Sequence, residues 1–363
     1  MVGALPSTTL PPRPKGARAR LKQARTGFVG FWKVLRANPL TLAGFIVVVM
    51  IGVVAAIVLV APHLITPYSP DQLSLDYNQP PSLQHPFGTD GVGIDILSET
   101  LYALPLDLAL AFAIAGAAML AGGGLGLVAG YWDKPGTISG AVSVVVMRIT
   151  DIFLAFPSLI LALAIAVSLG RGVWQLIVAI LLTWWPYYVR LVRGETLAVK
   201  HLPYVMAAKA AGVTEGRIVL RHILRNVLEP VVVYFTLDVG TVLVTLSTIG
   251  FVGLGLAYPT QAEWGSMMSY YQNAGLITAL PWTVLGPGLA IFVTVLAFSL
   301  LGDGLRDVLD PRSRRVLAGT GADSVSPANP PESASAPPEA EEEEESEESD
   351  LPPAPQLPGP TGG

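Results

Sequence analysis

The most unusual polar residues of this chain lie inside segments that are otherwise apolar. Near position 240, an acid and three hydroxyl side chains recur every three or four positions: Asp238, Thr241, Thr245 and Thr248. This spacing places all four on one face of an α-helix. A polar stripe on a helix that crosses a bilayer faces protein or water, not lipid. The stripe therefore has two interpretations, contact with a neighbouring helix or the wall of a solute path.

A second polar pair, Arg148 and Asp151, lies three residues apart in another apolar segment. Ionisable groups within a membrane are costly, and they often mark functional sites. The alternative is a local ion pair at the membrane boundary, since side chains three apart on a helix are neighbours. We expect Arg148 and Asp151 to form this helix-orienting pair, with a functional role as the alternative.

The longest polar-containing segment between two apolar stretches, residues 204–226, predicts two short helices with a break between them. The four alanines between positions 207 and 211 favour a helix. Gly212 suits the left-handed position just past a helix end. Thr214 can cap the next helix, with Glu215 in its first turn. We call residues 204–226 the elbow.

Other motifs that would carry chemistry are absent or accidental. The segment Gly124-Leu-Gly126-Leu-Val-Ala129 matches a dinucleotide fingerprint formally, but no strand precedes it in its apolar stretch. The glycines from 122 to 130 are better interpreted as a close helix-packing face. No P-loop, zinc-protease or nucleophile-elbow motif occurs, and the four histidines lack metal-ligand spacing. The sequence therefore predicts no catalytic site, no metal site and no cofactor bound by this chain.

The composition indicates the class of protein to which these residues belong. Of the 363 residues, 52% are hydrophobic and only 13% are charged, and the mean hydropathy is +0.55. A soluble domain carries about 25% charged residues. Several apolar stretches reach the roughly 20 residues that a helix needs to cross a bilayer. The sequence therefore predicts an all-α polytopic membrane protein, and the absence of cysteine excludes disulfide and thiolate chemistry.

The net charge of −5 combines two very different parts of the chain. Residues 319–363 contain 11 acids and no lysine or arginine, whereas the rest of the chain nets +6. A tail of proline, serine, alanine and glutamate cannot bury apolar surface, so we expect it to be disordered. A charge-based contact between this tail and basic surfaces is the alternative.

Six apolar spans and the basic residues between them predict the topology. The spans are 40–61, 104–131, 137–169, 173–192, 227–250 and 283–302. The loops 62–103 and 256–282 contain no lysine or arginine, whereas the N-terminal arm and residues 190–225 are basic. The positive-inside rule therefore places the elbow and both termini in the cytosol. The predicted parts are 1–38, a basic arm with an interfacial helix; 39–103, the first span and an outer loop; 104–316, the core domain with a short helix at about 203–217; and 317–363, the acidic tail.

The elbow resembles the cytosolic loop of permease subunits of ATP-binding-cassette importers. That motif reads Glu-Ala-Ala, three residues and Gly, and Ala207, Ala208 and Gly212 match it. Over residues 30–315 the chain looks most like the C-type permease of dipeptide and oligopeptide importers. Further matching segments are Asn38-Pro-Leu40, His85-Pro-Phe-Gly-Thr-Asp90, Asp151-Ile-Phe-Leu-Ala-Phe-Pro157, Trp185-Pro186, Arg190-Leu-Val-Arg-Gly194, Arg221-His-Ile-Leu224, Gly253-Leu-Gly255, Trp264-Gly-Ser-Met267 and Leu301-Gly-Asp-Gly-Leu-Arg-Asp307.

The chain departs from the family pattern at three positions. Met206 replaces the glutamate of the motif, Arg225 replaces a proline, and Thr245 replaces a glutamate common in the fifth span. A contact made by the motif glutamate to an ATPase must therefore be absent here or supplied by Glu215.

The resemblance implies a type I importer permease fold in a prokaryotic inner membrane. It also implies a homologous second permease, two cytosolic ATPase subunits that carry ATP and Mg²⁺, and an extracytoplasmic substrate-binding protein. The ATPase-docking residues would be Tyr204, Ala207, Ala208, Lys209, Ala211, Gly212, Glu215 and Arg217. The translocation-path residues would be Asp238, Thr241, Thr245 and Thr248.

Several alternatives stay open, and one is excluded. A nickel–chelate permease belongs to the same family as the peptide permeases. An ion-driven secondary transporter would show a repeat, and residues 40–169 and 173–302 show none. A membrane scaffold that holds partners through its tails is a third class. The elbow is not a DNA-binding helix-turn-helix, because both of its ends enter apolar spans within a few residues.

Overall fold

The computed structural model describes residues 38–66, 68–69, 75–134, 136–258 and 260–309, except for the side chains of residues 308 and 309. The predicted basic arm, with its interfacial helix, lies outside this part of the chain apart from residue 38. The predicted acidic tail, residues 317–363, lies outside it entirely.

The described chain is helical, and only an isolated bridge between Thr89 and Asp95 is β-like. Its helices are α1 (Pro39–Val60), α2 (Ile96–Tyr131), α3 (Ile138–Ala155), α4 (Ser158–Leu169), α5 (Val173–Val199), α6 (Pro203–Ala210), α7 (Glu215–Leu254), α8 (Trp264–Asn273), α9 (Leu276–Ala279) and α10 (Leu285–Leu309). Short 3₁₀ turns occupy Pro62–Leu64 and Pro281–Val284. Six helical segments are long and apolar enough to cross a membrane: α1, α2, α3, α5, α7 and Pro281–Asp307. The prediction of an all-α protein with six spans is confirmed.

Helix α2 is the centre of the bundle and packs along α5 through small residues. A methyl group added at Gly126 would lie 2.6 Å from the Val189 carbonyl oxygen. One added at Gly130 would lie 2.7 Å from Cβ of Thr196. Glycine at these positions lets the two backbones approach closely, as is common between membrane helices. The predicted packing face is confirmed, and the resemblance to a dinucleotide motif is accidental.

The predicted third span, 137–169, is wrong as a single helix. Helix α3 ends at Ala155, and Phe156 is extended, with φ −93° and ψ 141°. Pro157 disfavours a helical conformation at the preceding residue and has no backbone N–H for the helical ladder. Helix α4 restarts at Ser158 and runs for only 12 residues. The sequence contained the signal, a proline after an aromatic residue, but the apolar composition continued across it.

The second of the two short helices predicted for the elbow is not a separate short helix, because it continues into the fifth span. Helix α7 spans the 40 residues Glu215–Leu254, with π-helical turns at Val219–Ile223 and Gly250–Leu254, and it has a kink near its end at Gly253, where φ is +90°. The buried side chains of Ile218 and Ile223 continue the inner face of this helix. The elbow is therefore one short helix, α6, joined by a tight turn to the start of a membrane span.

Other helix boundaries extend the predicted spans. Asp95 caps α2 by accepting a hydrogen bond from the Ser98 N–H at 2.8 Å, so this helix starts eight residues before the predicted 104. Helix α5 continues past the predicted 192 to Val199. Both extensions are more polar than the membrane segments, and hydropathy alone does not detect them.

Buried side chains form two clusters. The main core lies between α2, α5, α7, α8 and α10 and contains fully buried aromatic residues such as Trp264 and Tyr271. The second cluster lies beneath the elbow and consists of Tyr131, Val192, Val199, Val205, Ile218, Val219, Ile223, Val227 and Val231. The elbow therefore has an apolar anchor of its own.

Candidate functional site

Helix α6 ends in a geometry that only a glycine readily provides. Gly212 has φ +73°, and its N–H donates to the Lys209 carbonyl at 3.0 Å. The N–H of Val213 donates to the Ala208 carbonyl at 3.1 Å. These two bonds form the Schellman motif, in which the residue past the cap is left-handed. The predicted left-handed glycine is confirmed, and the direction of the chain after α6 is fixed locally.

One side chain anchors α6 to the bundle. Val205 is fully buried in the cluster beneath the elbow, where it belongs with Ile218 and Ile223. Full burial of a valine contributes about 1.5–3 kcal/mol. The rest of α6 faces outward, and the helix is therefore held on one side and open on the other.

The turn that follows α2, residues 131–134, connects the elbow to the bundle. The Lys209 ammonium lies 5.2 Å from the centre of the Tyr131 ring, which is cation–π geometry. Glu215 accepts hydrogen bonds from Trp132 Nε1 at 3.0 Å and from Lys134 Nζ at 3.3 Å. Both sides of the elbow therefore contact the same turn.

Two further contacts fix this turn against α5. Arg193 donates to Asp133 at 2.7 Å. The Lys200 ammonium donates to the Gly130 carbonyl at 2.9 Å, and burial lowers the pKa of this amine. The sequence prediction used Lys200 only as a topology signal, because nothing in the sequence showed that its side chain folds back onto α2.

Seven of the eight predicted docking residues are exposed. Tyr204, Ala207, Lys209, Ala211, Gly212, Glu215 and Arg217 are exposed, and Ala208 is half-buried. Two details differ from expectation. Thr214 occupies the N-cap position of α7, but its side chain makes no capping hydrogen bond. Glu215 is engaged by Trp132 and Lys134 within this chain.

The predicted ion pair between Arg148 and Asp151 does not form. Asp151 instead accepts a hydrogen bond at 2.7 Å from Arg190, which reaches across from α5. Arg148 is exposed. The acid at 151 therefore connects α3 to α5 and does not orient α3 through its own arginine. Sequence spacing identified a neighbour along the helix, whereas packing brought a better-placed partner from another helix.

The predicted polar stripe on α7 divides between two environments. Asp238 is only 4% exposed, and its carboxylate accepts hydrogen bonds from Trp184 Nε1 and the Tyr188 hydroxyl, both at 2.8 Å. Thr241 is exposed, whereas Thr245 is buried. The hydroxyls of Thr241, Thr245 and Thr248 donate to carbonyl oxygens four residues earlier. Asp238 is thus the member of the stripe that interacts with a neighbouring helix.

A cavity of about 240 Å³ opens beside Asp238. Its lining residues come from α4, α5 and α7 and are Ser158, Trp184, Tyr187, Tyr234, Leu237, Asp238 and Thr241. The sequence did not group Trp184 and Tyr187 with Asp238, because these two residues belong to a different span, α5. Their separation of three positions on α5 is a signal that could have placed them on one face, and Tyr234 lies four positions before Asp238 on α7 itself.

A set of carboxylates is buried at the start of α2, the end farthest from the elbow. We call it the buried-acid end, and it comprises Asp90, Asp95, Glu99, Asp107 and Glu263. Glu263 caps α8 by accepting from the N–H groups of Gly265 and Ser266 at 2.7 and 2.8 Å. The Trp264 N–H donates to Asp107 at 3.1 Å. Burial raises the pKa of Asp90 and of Glu263. The sequence placed the 62–103 loop outside the membrane but predicted no role for these five acids.

Aromatic donors and a histidine complete the buried-acid end. The Tyr258 hydroxyl donates to Glu99 at 2.6 Å, and His85 lies 2.9 Å from Asp95. Within the described ranges, no group of three or more histidine or acidic side chains is arranged to hold a metal ion. These carboxylates therefore serve as hydrogen-bond acceptors that fix loops and helix starts.

Comparisons with known proteins match most of the chain. Residues 122–315 match the family described as binding-protein-dependent transport system inner membrane component. Residues 26–86 match the N-terminal TM domain of oligopeptide transport permease C.

Individual relatives are similar over nearly their whole lengths. The dipeptide transport system permease protein of Alkalihalophilus pseudofirmus is 38% identical over 78% of this chain and 89% of its own. The glutathione transport system permease protein of Escherichia coli O6:K15:H31 is 39% identical over 80% and 92%. Among solved structures, an inward-facing MetNI methionine ABC transporter matches 59% of this chain and 97% of its own, with 23% identity and a TM-score of 0.44.

The family models and the curated relatives agree with the resemblance to importer permeases. Proteins of this family are permease subunits, which are not catalytic and bind no cofactor themselves, so the chain is not an enzyme. They are multi-pass proteins of the bacterial inner membrane. The chain belongs to the family of binding-protein-dependent transport system inner membrane components, as a permease subunit of an ATP-binding-cassette importer.

Proposed function

We propose that this chain forms, with a homologous second permease, the path of an ATP-driven importer of dipeptides and oligopeptides. The observation that carries the coupling part of this proposal is the exposed, locally rigid helix α6 joined directly to α7. The relatives described as dipeptide and glutathione permeases support the peptide substrate.

The elbow supports a role in transmitting movement. Its docking surface is exposed, whereas Val205 holds it to the bundle beneath. The turn at Gly212 leads into α7, which continues through the fifth span as far as the kink at Gly253. A cytosolic ATPase that displaces α6 therefore tilts a helix that crosses the membrane, because packed elements move as rigid bodies.

The partners and orientation follow from the same proposal. Two ATPase subunits bind ATP and Mg²⁺ and each dock one elbow helix, and an extracytoplasmic protein delivers the peptide. The basic elbow lies in the cytosol, together with both termini. The path runs along α7 past Asp238, Thr241, Thr245 and Thr248, with Thr241 exposed on that face.

The test is a transport assay with Gly212→Pro in the complete importer in proteoliposomes. Proline fixes φ near −65° and has no N–H, so it abolishes the +73° conformation and the bond to Lys209. We expect the variant to insert and to bind the ATPases. Peptide imported per ATP hydrolysed should fall at least about tenfold, which corresponds to roughly 1.4 kcal/mol of lost coupling.

The matched control is Gly275→Pro at the start of α9. Gly275 has φ +70°, and its N–H donates to the Gln272 carbonyl at 3.0 Å, so the local damage is the same as at Gly212. We expect the ratio of uptake to hydrolysis to stay at the wild-type value. A wild-type ratio in Gly212→Pro would overturn the coupling role, and purified complexes without an ATPase would overturn the importer. Radiolabelled nickel chelate in place of peptide tests the alternative substrate.

A further inference from the structure

The carboxylate of Asp238 is buried against neutral partners. Its two hydrogen-bond donors, the Trp184 indole and the Tyr188 hydroxyl, carry no charge. Within the part of the chain that the structure describes, no lysine, arginine or histidine forms an ion pair with it. A buried charge without a counter-charge costs several kcal/mol. Asp238 therefore requires a positive group from outside the described residues, or a proton.

The cavity beside Asp238 has aromatic walls suited to a cation. Trp184 and Tyr187 lie with ring centres 6.0 Å apart, and Tyr234 lies perpendicular to Tyr188 at 5.1 Å. Aromatic faces attract an ammonium group within about 6 Å of a ring centre, by about 2 kcal/mol or more when water is excluded. The lining thus combines one carboxylate with the rings of Trp184, Tyr187 and Tyr234.

The cavity is too small for a whole peptide but sufficient for one end of a molecule. Its volume of about 240 Å³ is below the roughly 300–1,000 Å³ of sites that enclose a complete small-molecule ligand. The cavity is not enclosed, and its lining residue Thr241 is exposed. A ligand can therefore insert a terminal group while the remainder stays in the path.

We propose that this cavity is a subsite for a primary ammonium group, and that it receives the free amino terminus of a peptide in transit. The identification of the ligand as a peptide rests on the proposed function, whereas the identification of the bound group as a primary ammonium does not. An ammonium group has three donors. Each carboxylate oxygen of Asp238 retains capacity after accepting one bond, and the hydroxyls of Ser158 and Thr241 provide further acceptors.

One neighbouring feature opposes a cation and is outweighed. Ser158 is the first residue of α4, so the positive end of that helix borders the cavity. A helix N-terminus is equivalent to about half a positive charge. Ionised Asp238 carries a full negative charge, so the cavity remains net negative. It therefore favours the amino end of a peptide and disfavours the carboxyl end.

The first test compares uptake of dialanine and N-acetyl-dialanine by complete importers that contain wild-type chain or Asp238→Asn. Both importers use the same binding protein. Any selection by that protein between dialanine and N-acetyl-dialanine is therefore the same in both importers, and it cancels when the preference of the wild type is compared with that of Asp238→Asn. We expect the preference for the free amine to fall at least about tenfold in Asp238→Asn, the lower end for loss of a charge-assisted hydrogen bond. Asp238→Glu retains the charge and should retain the preference. Asp151→Asn, which removes an acid bound to Arg190, should also retain it.

The second test measures binding without transport. Alaninamide, a primary ammonium with no carboxylate, is titrated into the purified importer and followed by saturation-transfer NMR, with N-acetyl-alaninamide as the uncharged comparison. We expect saturable binding of alaninamide by wild type, loss in Asp238→Asn, and no saturable binding of the acetylated compound. Tyr187→Leu removes one wall without touching the hydrogen bonds of Asp238, and it should weaken binding several-fold. This variant keeps the proposal testable if Asp238→Asn prevents assembly.

The outcomes separate the two proposals. Wild-type importer that binds alaninamide through Asp238 but imports no peptide would support the ammonium subsite and overturn the peptide importer. Wild-type importer that imports peptide while Asp238→Asn keeps the same preference would overturn the subsite alone. A carboxylic acid that merely holds a proton and shapes the aromatic walls would give this second result.

Discussion

The charged side chains gathered around the two ends of helix α2 differ in their exposure to solvent. At the elbow end, Lys134 and Glu215 form their ion pair at 3.3 Å with about half of each side chain exposed, 55% and 51%. At the other end, Glu99, Asp107 and Glu263 are fully buried. The charges at the elbow meet opposite charges or aromatic rings, whereas Glu99, Asp107 and Glu263 meet backbone N–H groups and hydroxyls.

This difference in exposure indicates that the contacts at the buried-acid end are fixed and that those at the elbow can be exchanged for contacts with another protein. An exposed ion pair contributes about 0–1 kcal/mol, so a docking protein can replace it at little cost. A buried carboxylate that loses its donors leaves an unsatisfied charge, which costs several times more. The buried-acid end is therefore a rigid frame for α2 and α8, and the elbow is a surface adapted to contact.

The largest expected loss of thermal stability is that of Trp264→Ala, at the buried-acid end. Trp264 is fully buried, and its indole N–H donates to the Thr100 carbonyl at 2.9 Å. Removal of such a side chain costs about 3–5 kcal/mol. We expect a large drop in the apparent Tm of the purified importer, measured by size-exclusion chromatography after heating. Trp174→Ala is the control, because Trp174 is 75% exposed. Equal shifts in the two variants would contradict a rigid frame at this end.

A change of pH is expected to have an intermediate effect on the thermal stability of the importer. Burial raises the pKa of Glu263 above its ordinary value of 4.5, so the folded state retains a proton that the unfolded chain has released. Stability contributed by this group therefore falls as pH rises from 4.5 through the raised pKa, by at most about 1.4 kcal/mol per pH unit. We expect Glu263→Gln to flatten the dependence of Tm on pH above pH 4.5. Glu229→Gln, at an exposed position, should leave the slope unchanged. An identical slope in Glu263→Gln would show that this acid titrates as it does in water.

The smallest expected effect is at the elbow, in Glu215→Gln. The amide oxygen of glutamine can still accept from Trp132, and only the exposed ion pair with Lys134 is lost. We expect a loss of less than about 1 kcal/mol in stability, which would further shrink in high salt. Thermal unfolding of the importer at low and high ionic strength measures it. A loss comparable to that of Trp264→Ala would remove the contrast between the two ends.

Sequence patterns predicted the spans well because the bilayer imposes a length and a composition on each of them. They failed where a local breaker or a polar continuation altered a helix without altering its apolar character. Pro157 ended α3 inside an apolar stretch, and α7 began at Glu215 in a polar one. The turn at Gly212 was predictable because its conformation depends on the backbone of one residue.

The candidate site was predicted only in its parts. The exposed side of α6, for which we propose docking, followed from composition and resemblance, and Asp238 followed from its spacing on one helix. The aromatic partners of Asp238 and the Arg190 partner of Asp151 lie on α5, more than 35 residues away along the chain. No local pattern pairs side chains across two helices.

The sequence by itself determined the number of membrane spans, the glycine that ends α6 and the membership of the chain in a permease family. These features depend on residue type and local backbone preference, which each segment carries alone. Only the tertiary structure decided that Asp238 is buried among aromatic rings beside a cavity, that Asp151 pairs with α5, and that Glu215 bonds to the turn after α2. Those contacts arise from packing between helices, where a side chain binds whichever partner the fold brings within about 3 Å.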